Sequence, residues 1–404
     1  MPTRTARHAL LAFAVFVAAG GAAQIARVPL APAAFAQVAT VTLDNHVIKP
    51  KPETTITLKR VEVTKTNLSR DEVIKLLAPE TSNEERTAIA KRMKAERFAI
   101  PSAEVKAKNG TSTLVDFVAT NIDSGKLAKA SLASFQGSGT DDKDKPISIK
   151  SGPMLLEDAD LSGVATALST GDPSGLQARL GHFAWSGFDM TFTEEGPKDK
   201  AGQIRIAIGS VDMKNAYDGE VFKNGVTTLK NLVIEPSKGS KMERDLSPFG
   251  YSRLDLGMNI SAAYDQAKKA LTVDDWTIDG AGMGALTLKT ALGSIDKGLF
   301  SADKNQQLAA LIGGDVSRLE LKFANSGLFD RALAYVGEQQ KKSPADLRKE
   351  WGGMVGQMLP AVLGGDPSAL ALAGEGRQGG PHSAPGRVSG SPGRRTAGPL
   401  AWAW

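Results

Sequence analysis

The stretch Arg253-Leu254-Asp255-Leu256-Gly257-Met258-Asn259-Ile260-Ser261-Ala262-Ala263-Tyr264 alternates apolar and mostly polar residues with a period of two. That is the spacing of a strand with one face buried and the other in water. After Asp265-Gln266-Ala267-Lys268-Lys269, residues 271–279 carry Trp276 and Ile278 on one side. Leu286-Thr287-Leu288-Lys289-Thr290-Ala291-Leu292 then alternates again beyond the turn Gly280-Ala281-Gly282-Met283-Gly284. Three alternating runs separated by short turn sequences predict an antiparallel meander with one greasy side. Fully burying a large apolar side chain contributes about 1.5–3 kcal/mol, so Leu254, Leu256, Met258, Ile260 and Tyr264 together represent on the order of 10 kcal/mol. Something has to cover that stripe, and with Trp276 and Ile278 added it is the candidate ligand-binding surface.

Past Leu292 the pattern turns helical. Ser301-Ala302-Asp303-Lys304 predicts a helix start with Ser301 as cap, running to Ile312, and Val316 to Phe323 reads as a strand. Leu328 to Gln340 is amphipathic through Phe329, Ala332, Leu333 and Val336. Ser343-Pro344-Ala345-Asp346 has the cap serine and first-turn proline of another helix. Its stripe is Leu347, Trp351, Met354, Met358 and Val362, with Pro360 expected to kink or end it. These helices are the natural internal lid for the sheet.

Upstream, Leu58, Val61 and Val63 mark a strand from Thr55 to Leu68. Ser69-Arg70-Asp71-Glu72 and Ser82-Asn83-Glu84-Glu85 both match the capping box, in which a serine accepts an orphan amide and a glutamate reaches back. They predict helices from Arg70 to Leu77 and from Asn83 to Arg97, which makes the basic run Lys91 to Arg97 a solvated helix face. Asn109-Gly110 predicts a hairpin within residues 103–119. Gly137 to Pro146 reads as a polar loop, Ile147 to Ala159 as strand and Leu161 to Leu168 as a short helix. Further strands are expected at Phe183 to Thr193, Gln203 to Lys214 and Val226 to Ile234, followed by a loop from Glu235 to Gly250. A bulge is expected at Gly209-Ser210, because the apolar positions Ile204, Ile206 and Ile208 resume out of phase at Val211 and Met213. Gly171-Asp172-Pro173-Ser174 recurs as Gly365-Asp366-Pro367-Ser368, which a helix stop followed by a new cap explains without a duplication.

The two ends differ in kind from the body. Met1 to His8 is short and positive, Ala9 to Ala23 is apolar, and small-residue cleavage patterns follow at Gly21-Ala22-Ala23 and Ala34-Phe35-Ala36. Residues 1–36 therefore read as a secretory signal peptide cut after Ala36, with Ala23 second. A retained N-terminal anchor is the alternative, against which the apolar run falls short of the ~20 residues a spanning helix needs. Residues 374–404 are Gly-, Pro-, Ser- and Arg-rich without apolar periodicity, the composition of a disordered tail and also of a shifted reading frame in GC-rich coding sequence. The formal charge is +5 and the pI about 9.1. Arg4, Arg7, Arg27, Arg377, Arg387, Arg394 and Arg395 account for that excess, which leaves a near-neutral body and argues against a nucleic-acid partner. Between the ends, the expected organisation is a β-rich lobe with two helices at 37–197 and an antiparallel sheet plus helices at 198–373, either as one elongated unit or as two lobes meeting near residues 195–202.

No reaction is legible. With no cysteine, thiolate metal sites, disulfides and cysteine nucleophiles are excluded. Within the body, histidine is limited to His46, in a segment expected to be mobile just after the leader, and His182, beside Phe183 and Trp185. Ser301-Ala302-Asp303-Lys304 fits the S-x-x-K of penicillin-recognising enzymes, but no Ser-Asp-Asn or Lys-Thr-Gly accompanies it. Gly280 to Gly284 opens into a strand, without the helix N-terminus that a dinucleotide loop needs. The acids of Asp141-Asp142-Lys143-Asp144 lack the glycine and terminal glutamate of a calcium loop. Asp158 with Asp160, and Asp274 and Asp275 with Asp279, read as turn and strand-edge carboxylates before acid–base pairs. Catalytic residues, metal and cofactor are all expected to be none.

Leu319-Glu320-Leu321-Lys322-Phe323-Ala324-Asn325-Ser326-Gly327-Leu328-Phe329-Asp330, running from a strand into amphipathic helices after many alternating strands and a leader, resembles exported envelope proteins of Gram-negative bacteria. The layout over residues 45–373 is similar to the AsmA-like periplasmic β-groove proteins. That resemblance implies a long antiparallel sheet whose concave apolar face holds lipid acyl chains. The expected fold class is α+β, a large twisted antiparallel sheet with flanking amphipathic helices concentrated toward the C-terminus. The expected function is a non-catalytic periplasmic protein binding a hydrophobic ligand or lipid, with peripheral membrane association. The alternative is a scaffold that packs against another envelope protein.

Overall fold

The computed structural model describes residues 39–161, 179–194, 202–219, 221–301 and 303–362, with residues 355–362 described in backbone only. The leader, the tail, both copies of the Gly-Asp-Pro-Ser echo and the helix expected after Leu161 lie outside the described residues, as do the side chains of Met358 and Val362. The fold is α+β, with fifteen described strands in an antiparallel sheet. Two compact units divide the chain, Met1–Tyr217 with Val226–Lys241, and Asp218–Gly225 with Met242–Trp404. The breaks fall at 217/218 and 225/226, each inside a strand, and at 241/242, and residues 195–202 belong to the first unit. That polar stretch separates strands that pair with each other, Gln203 opposite Thr193, so it joins a hairpin inside one unit.

The first unit begins with β1 (Ala39–Lys51), paired along its length with β2 (Thr54–Thr66). His46, expected in a mobile segment, sits in β1 opposite Leu58. Helix α1 (Arg70–Leu77) carries the complete capping box. The Ser69 hydroxyl accepts from the Glu72 amide at 3.3 Å, and the Glu72 carboxylate accepts from the Ser69 amide at 2.8 Å. In α2 (Asn83–Arg92) only the serine half forms, because Glu85 turns to Lys75 on α1, at 2.8 Å. This helix stops five residues earlier than expected. Lys94 to Arg97 belong to β3 (Lys94–Ala107), where Arg97 pairs with Thr64 on one side and Thr120 of β4 (Gly110–Asp123) on the other. The sheet outcompetes helix propensity there, and the basic run is divided between a helix end and a strand.

The hairpin at Lys108-Asn109 forms where Asn-Gly placed it. β5 (Lys126–Leu132), β6 (Ser134–Thr140), β7 (Pro146–Ser151), β8 (Met154–Asp160), β9 (Arg179–Thr193) and β10 (Gln203–Asp218) follow. The polar loop is shorter than expected, because residues 134–140 pair with β4 and β7. Ile147 to Ala159 is two strands, broken at Gly152-Pro153. The core of this unit lies where α1 and α2 cover β1–β4: Leu43, Leu58, Val61, Val63, Leu68, Val73 and Ile100 are each at most 2% exposed.

No bulge interrupts the β9–β10 pairing at Gly209-Ser210. Register runs unbroken from Ile208 opposite Phe188 to Val211 opposite Trp185. The change of phase in the apolar residues is therefore a change of face: Ile204, Ile206 and Ile208 lie on one side of the sheet, Val211 and Met213 on the other. Gly187, with φ +67, takes up the irregular backbone on the neighbouring strand, and a Cβ on Gly209 would meet the Asn231 side chain at 2.9 Å.

The second unit holds α3 (Lys241–Leu246) from Met242 on, a 3₁₀ turn at Ser247–Phe249, and the meander β12 (Leu254–Asp265), β13 (Ala270–Gly280) and β14 (Gly284–Gly293). β11 (Val221–Pro236) is shared between the units, and the expected loop from Glu235 to Gly250 contains α3 and the turn. Beyond β14 come a 3₁₀ turn at Lys297–Phe300, α4 (Lys304–Ile312), β15 (Asp315–Asn325), α5 (Leu328–Gln340) and α6 (Pro344–Val362). The cap of α4 is Asp303, whose carboxylate accepts from the Asn305 amide at 2.8 Å. Ser301, expected in that role, accepts from the Asp303 amide at 3.2 Å and so caps the turn before the helix. α6 continues two residues beyond Pro360.

Two substitutions test where stability resides in the first unit. Leu58→Ala removes a fully buried side chain and is expected to cost about 2–5 kcal/mol, whereas Ser69→Ala costs about 1 kcal/mol through the lost cap. Urea denaturation of the two variants against the parent checks both.

Candidate functional site

In the second unit the pairing lines apolar side chains up across four strands. Met258 lies opposite Ile278, Ile278 opposite Leu286, and Leu286 opposite Phe323. The next row is Ile260, Trp276, Leu288 and Leu321, and the last is Tyr264, Leu271, Leu292 and Val316. Partners in a ladder share a face, so these rows form one apolar surface. Two irregularities keep it in phase. Register shifts between Ser261 and Ala262 and between Ala291 and Leu292 insert Asp274 in β13 and Ser317 in β15, and the apolar parity resumes beyond each.

The opposite face is polar and internally bonded. Asp275 accepts from Asn259 Nδ2 at 2.7 Å and from the Thr277 hydroxyl at 2.6 Å. These bonds, Thr277 first, hold the Asp275 carboxyl below its usual range, so it is an ionised acceptor and not a proton donor. The glycine turn is a strand-to-strand connection. Gly282 and Gly284 have φ +68 and +130, and a Cβ on Gly284 would lie 2.1 Å from the Ala324 carbonyl oxygen. The Tyr251 hydroxyl donates to the Gly282 carbonyl at 3.0 Å.

The predicted site residues are brought together on this surface, but they are not buried. Leu254, Leu256, Met258 and Ile260 are half-buried, and only Tyr264, at 5% exposure, is enclosed. Its ring meets Phe300 at 4.9 Å between centroids and its hydroxyl donates to the Ile295 carbonyl at 2.9 Å. Exposure rises from 40% at Trp276 to 67% at Leu321. Of the helices expected as a lid, α5 and α6 pack on one another, α5 also on the turn at Ser247–Phe249, while α4 packs on the turn at Lys297–Phe300. Phe329 of α5 meets Trp351 of α6 at 5.9 Å, Phe249 meets Tyr335 at 4.9 Å, and Leu333 and Leu347 are fully buried. The strand expected from Val316 to Phe323 spans Asp315–Asn325 and adds Leu319, Leu321 and Phe323, which repeat the period-two signal of β12, to a surface expected only from β12 and β13. α4 presents a further exposed stripe, Leu308, Leu311 and Ile312.

The first unit carries a separate titratable group. His182 Nδ1 lies 3.0 Å from Glu157 and Nε2 lies 3.2 Å from Asp212. The hydrogen bond to Glu157, then that to Asp212, raises the imidazole pKa above its ordinary 6.5. Lys129 pairs with Glu157 at 3.4 Å and Lys214 with Asp212 at 3.5 Å, which completes a charged row across β5, β8, β9 and β10. Lys129 and Asp212 of this row also line an open concavity of about 650 Å³, together with Met154, Trp185, Ser210 and Val211 among others. His46 is shifted the other way, by burial first and the nearby Arg70 second. Asp141 spends its carboxylate on the amides of Lys143 and Lys145, at 2.8 and 2.9 Å. Among the described residues no three His, Asp or Glu side chains are placed to hold a metal ion, and no helix is long and apolar enough to cross a membrane.

A family model described as "Uncharacterized protein" matches residues 277–375. The match runs from β13 through α6, over the half of the apolar face that is most exposed. Comparison with curated proteins and with solved structures gives no match.

Because His182 has a raised pKa in the folded protein, its contribution to stability is fully present below about pH 6.5 and is lost as pH rises through the raised value. His182→Gln is expected to cost on the order of 1 kcal/mol at pH 5.5 and close to nothing at pH 9, as read from urea midpoints at the two pH values.

Proposed function

We propose that this protein is a non-catalytic, exported binding protein that holds the acyl chain of a lipid or similar hydrophobic ligand against the apolar face of β12–β15. The observation that carries the reading is the open ladder itself, three rows of large apolar side chains across four strands with Trp276, Ile278, Leu286, Leu321 and Phe323 each at least 40% exposed. Folding gains most from apolar surface that is covered, and contiguous exposed patches of this kind mark interaction sites. Three inter-strand spacings of about 4.8 Å make each row roughly 14 Å long, so an extended chain lying along a row touches all four strands. Each methylene taken out of water there contributes about 0.8 kcal/mol.

The leader-like residues 1–36 support export to the periplasm, and the similarity in layout to AsmA-like proteins supports a lipid over other apolar ligands. The alternative, a scaffold packing against another envelope protein, is favoured by the exposed Leu308, Leu311 and Ile312 stripe, whose helical spacing suits an amphipathic partner.

Native mass spectrometry of the full-length protein extracted from membranes should show adducts of lipid mass. Ile278→Glu puts a carboxylate in the middle of the ladder at a position already 41% exposed. It should weaken binding of a fluorescent fatty acid at least tenfold while leaving the thermal midpoint nearly unchanged. Unaltered binding in this variant, or lipid-free protein recovered repeatedly from membranes, rules the reading out.

A further inference from the structure

Strand β15 ends the strand order of the second unit, with β14 as its one neighbour among the described strands. Ten of its eleven residues are exposed. Such an edge offers a row of backbone donors and acceptors to another strand, and proteins usually blunt it with proline, like charges or a covering segment. Here residues 318–325 contain no proline, and the charges on the polar face, Arg318, Glu320 and Lys322, alternate in sign.

We propose that β15 pairs antiparallel with β15 of a second copy of this chain, about a two-fold axis through Leu321. The occupant follows from the strand's own complementarity. In this register Leu321 faces Leu321 of the second copy, Leu319 faces Phe323 in both directions, and Glu320 faces Lys322 in both directions. Apolar residues meet on one face and opposite charges on the other, the pairings that stabilise neighbouring strands. Neighbouring registers lose this match. Centring on Glu320 sets Glu320 against Glu320 and Arg318 against Lys322, while centring on Leu319 keeps Arg318 against Glu320 but sets Leu321 against Ser317 and Phe323 against Asp315. An isologous contact of this kind closes at two copies. It would carry the apolar rows of one sheet directly into those of the other. The inference holds whether or not that face binds lipid.

The chain has no cysteine, so single-cysteine variants of the full chain report the register directly. In the proposed pair the two Leu321 Cα atoms lie within disulfide range, whereas the two Leu319 Cα atoms are separated by four residues of strand, about 13 Å. L321C is expected to form a covalent dimer at least tenfold faster than L319C under mild oxidation. The parent protein should sediment as a dimer at tens of micromolar. E320K and K322E should each weaken that dimer at least tenfold, and the double charge swap should restore it. A monomeric parent, equal cross-linking of L321C and L319C, or faster cross-linking between L319C and L321C chains than within L321C overturns the proposal. So does a double swap no better than the single changes.

Discussion

The second unit depends on the pairing register of β12, β13, β14 and β15. Side chains alternate faces along a strand, so a slip of one residue would send every leucine and isoleucine of that strand to the polar side. The pairs Met258–Ile278, Ile278–Leu286 and Leu286–Phe323 hold the rows together, and the shifts at Ala262 and Leu292 are placed so that the apolar parity survives. The glycine turn permits this by letting β13 and β14 reverse with the chain close against Ala324.

The two units use apolar residues in opposite ways. In the first, two short capped helices lie over β1–β4 and take Leu58, Val61, Val63 and Val73 out of water completely. In the second, α5 and α6 satisfy each other through Leu333, Leu347 and the Phe329–Trp351 contact, and the sheet they follow keeps its apolar face open. Stability therefore concentrates in the first unit and unsatisfied apolar surface in the second. A surface that gives little to folding is free to serve a ligand or another chain, and the family match falls over that half of the molecule.

Much of this was legible locally. The alternation in residues 254–264 and 286–292, the Asn-Gly hairpin and the Ser69–Glu72 capping box each depend on neighbours within a few residues, and each formed where the pattern placed it. Features set by partners far along the chain were misread. The second helix lost Lys94 to Arg97 to pairing with β2 and β4, and the supposed bulge at Gly209 became a change of face because β9 stayed in register. Asp303 displaced Ser301 as the cap of α4 by a shift of two residues. Of the candidate surface, the alternation in β12 and β13 put Met258, Ile260, Trp276 and Ile278 on one face, while the contribution of β15 depended on a pairing with β14 that no local pattern carries.

By itself the amino-acid order determined that residues 253–292 form strands with one apolar side, since periodicity is a property of a single segment and survives any arrangement of the rest. It also determined the absence of thiol chemistry. Whether the apolar side is covered was decided only in three dimensions. An amphipathic helix carries no mark of which surface it will cover, and α5 and α6 found their partners in each other. Burial depends on which of several compatible greasy faces meet, and that choice belongs to the assembled fold.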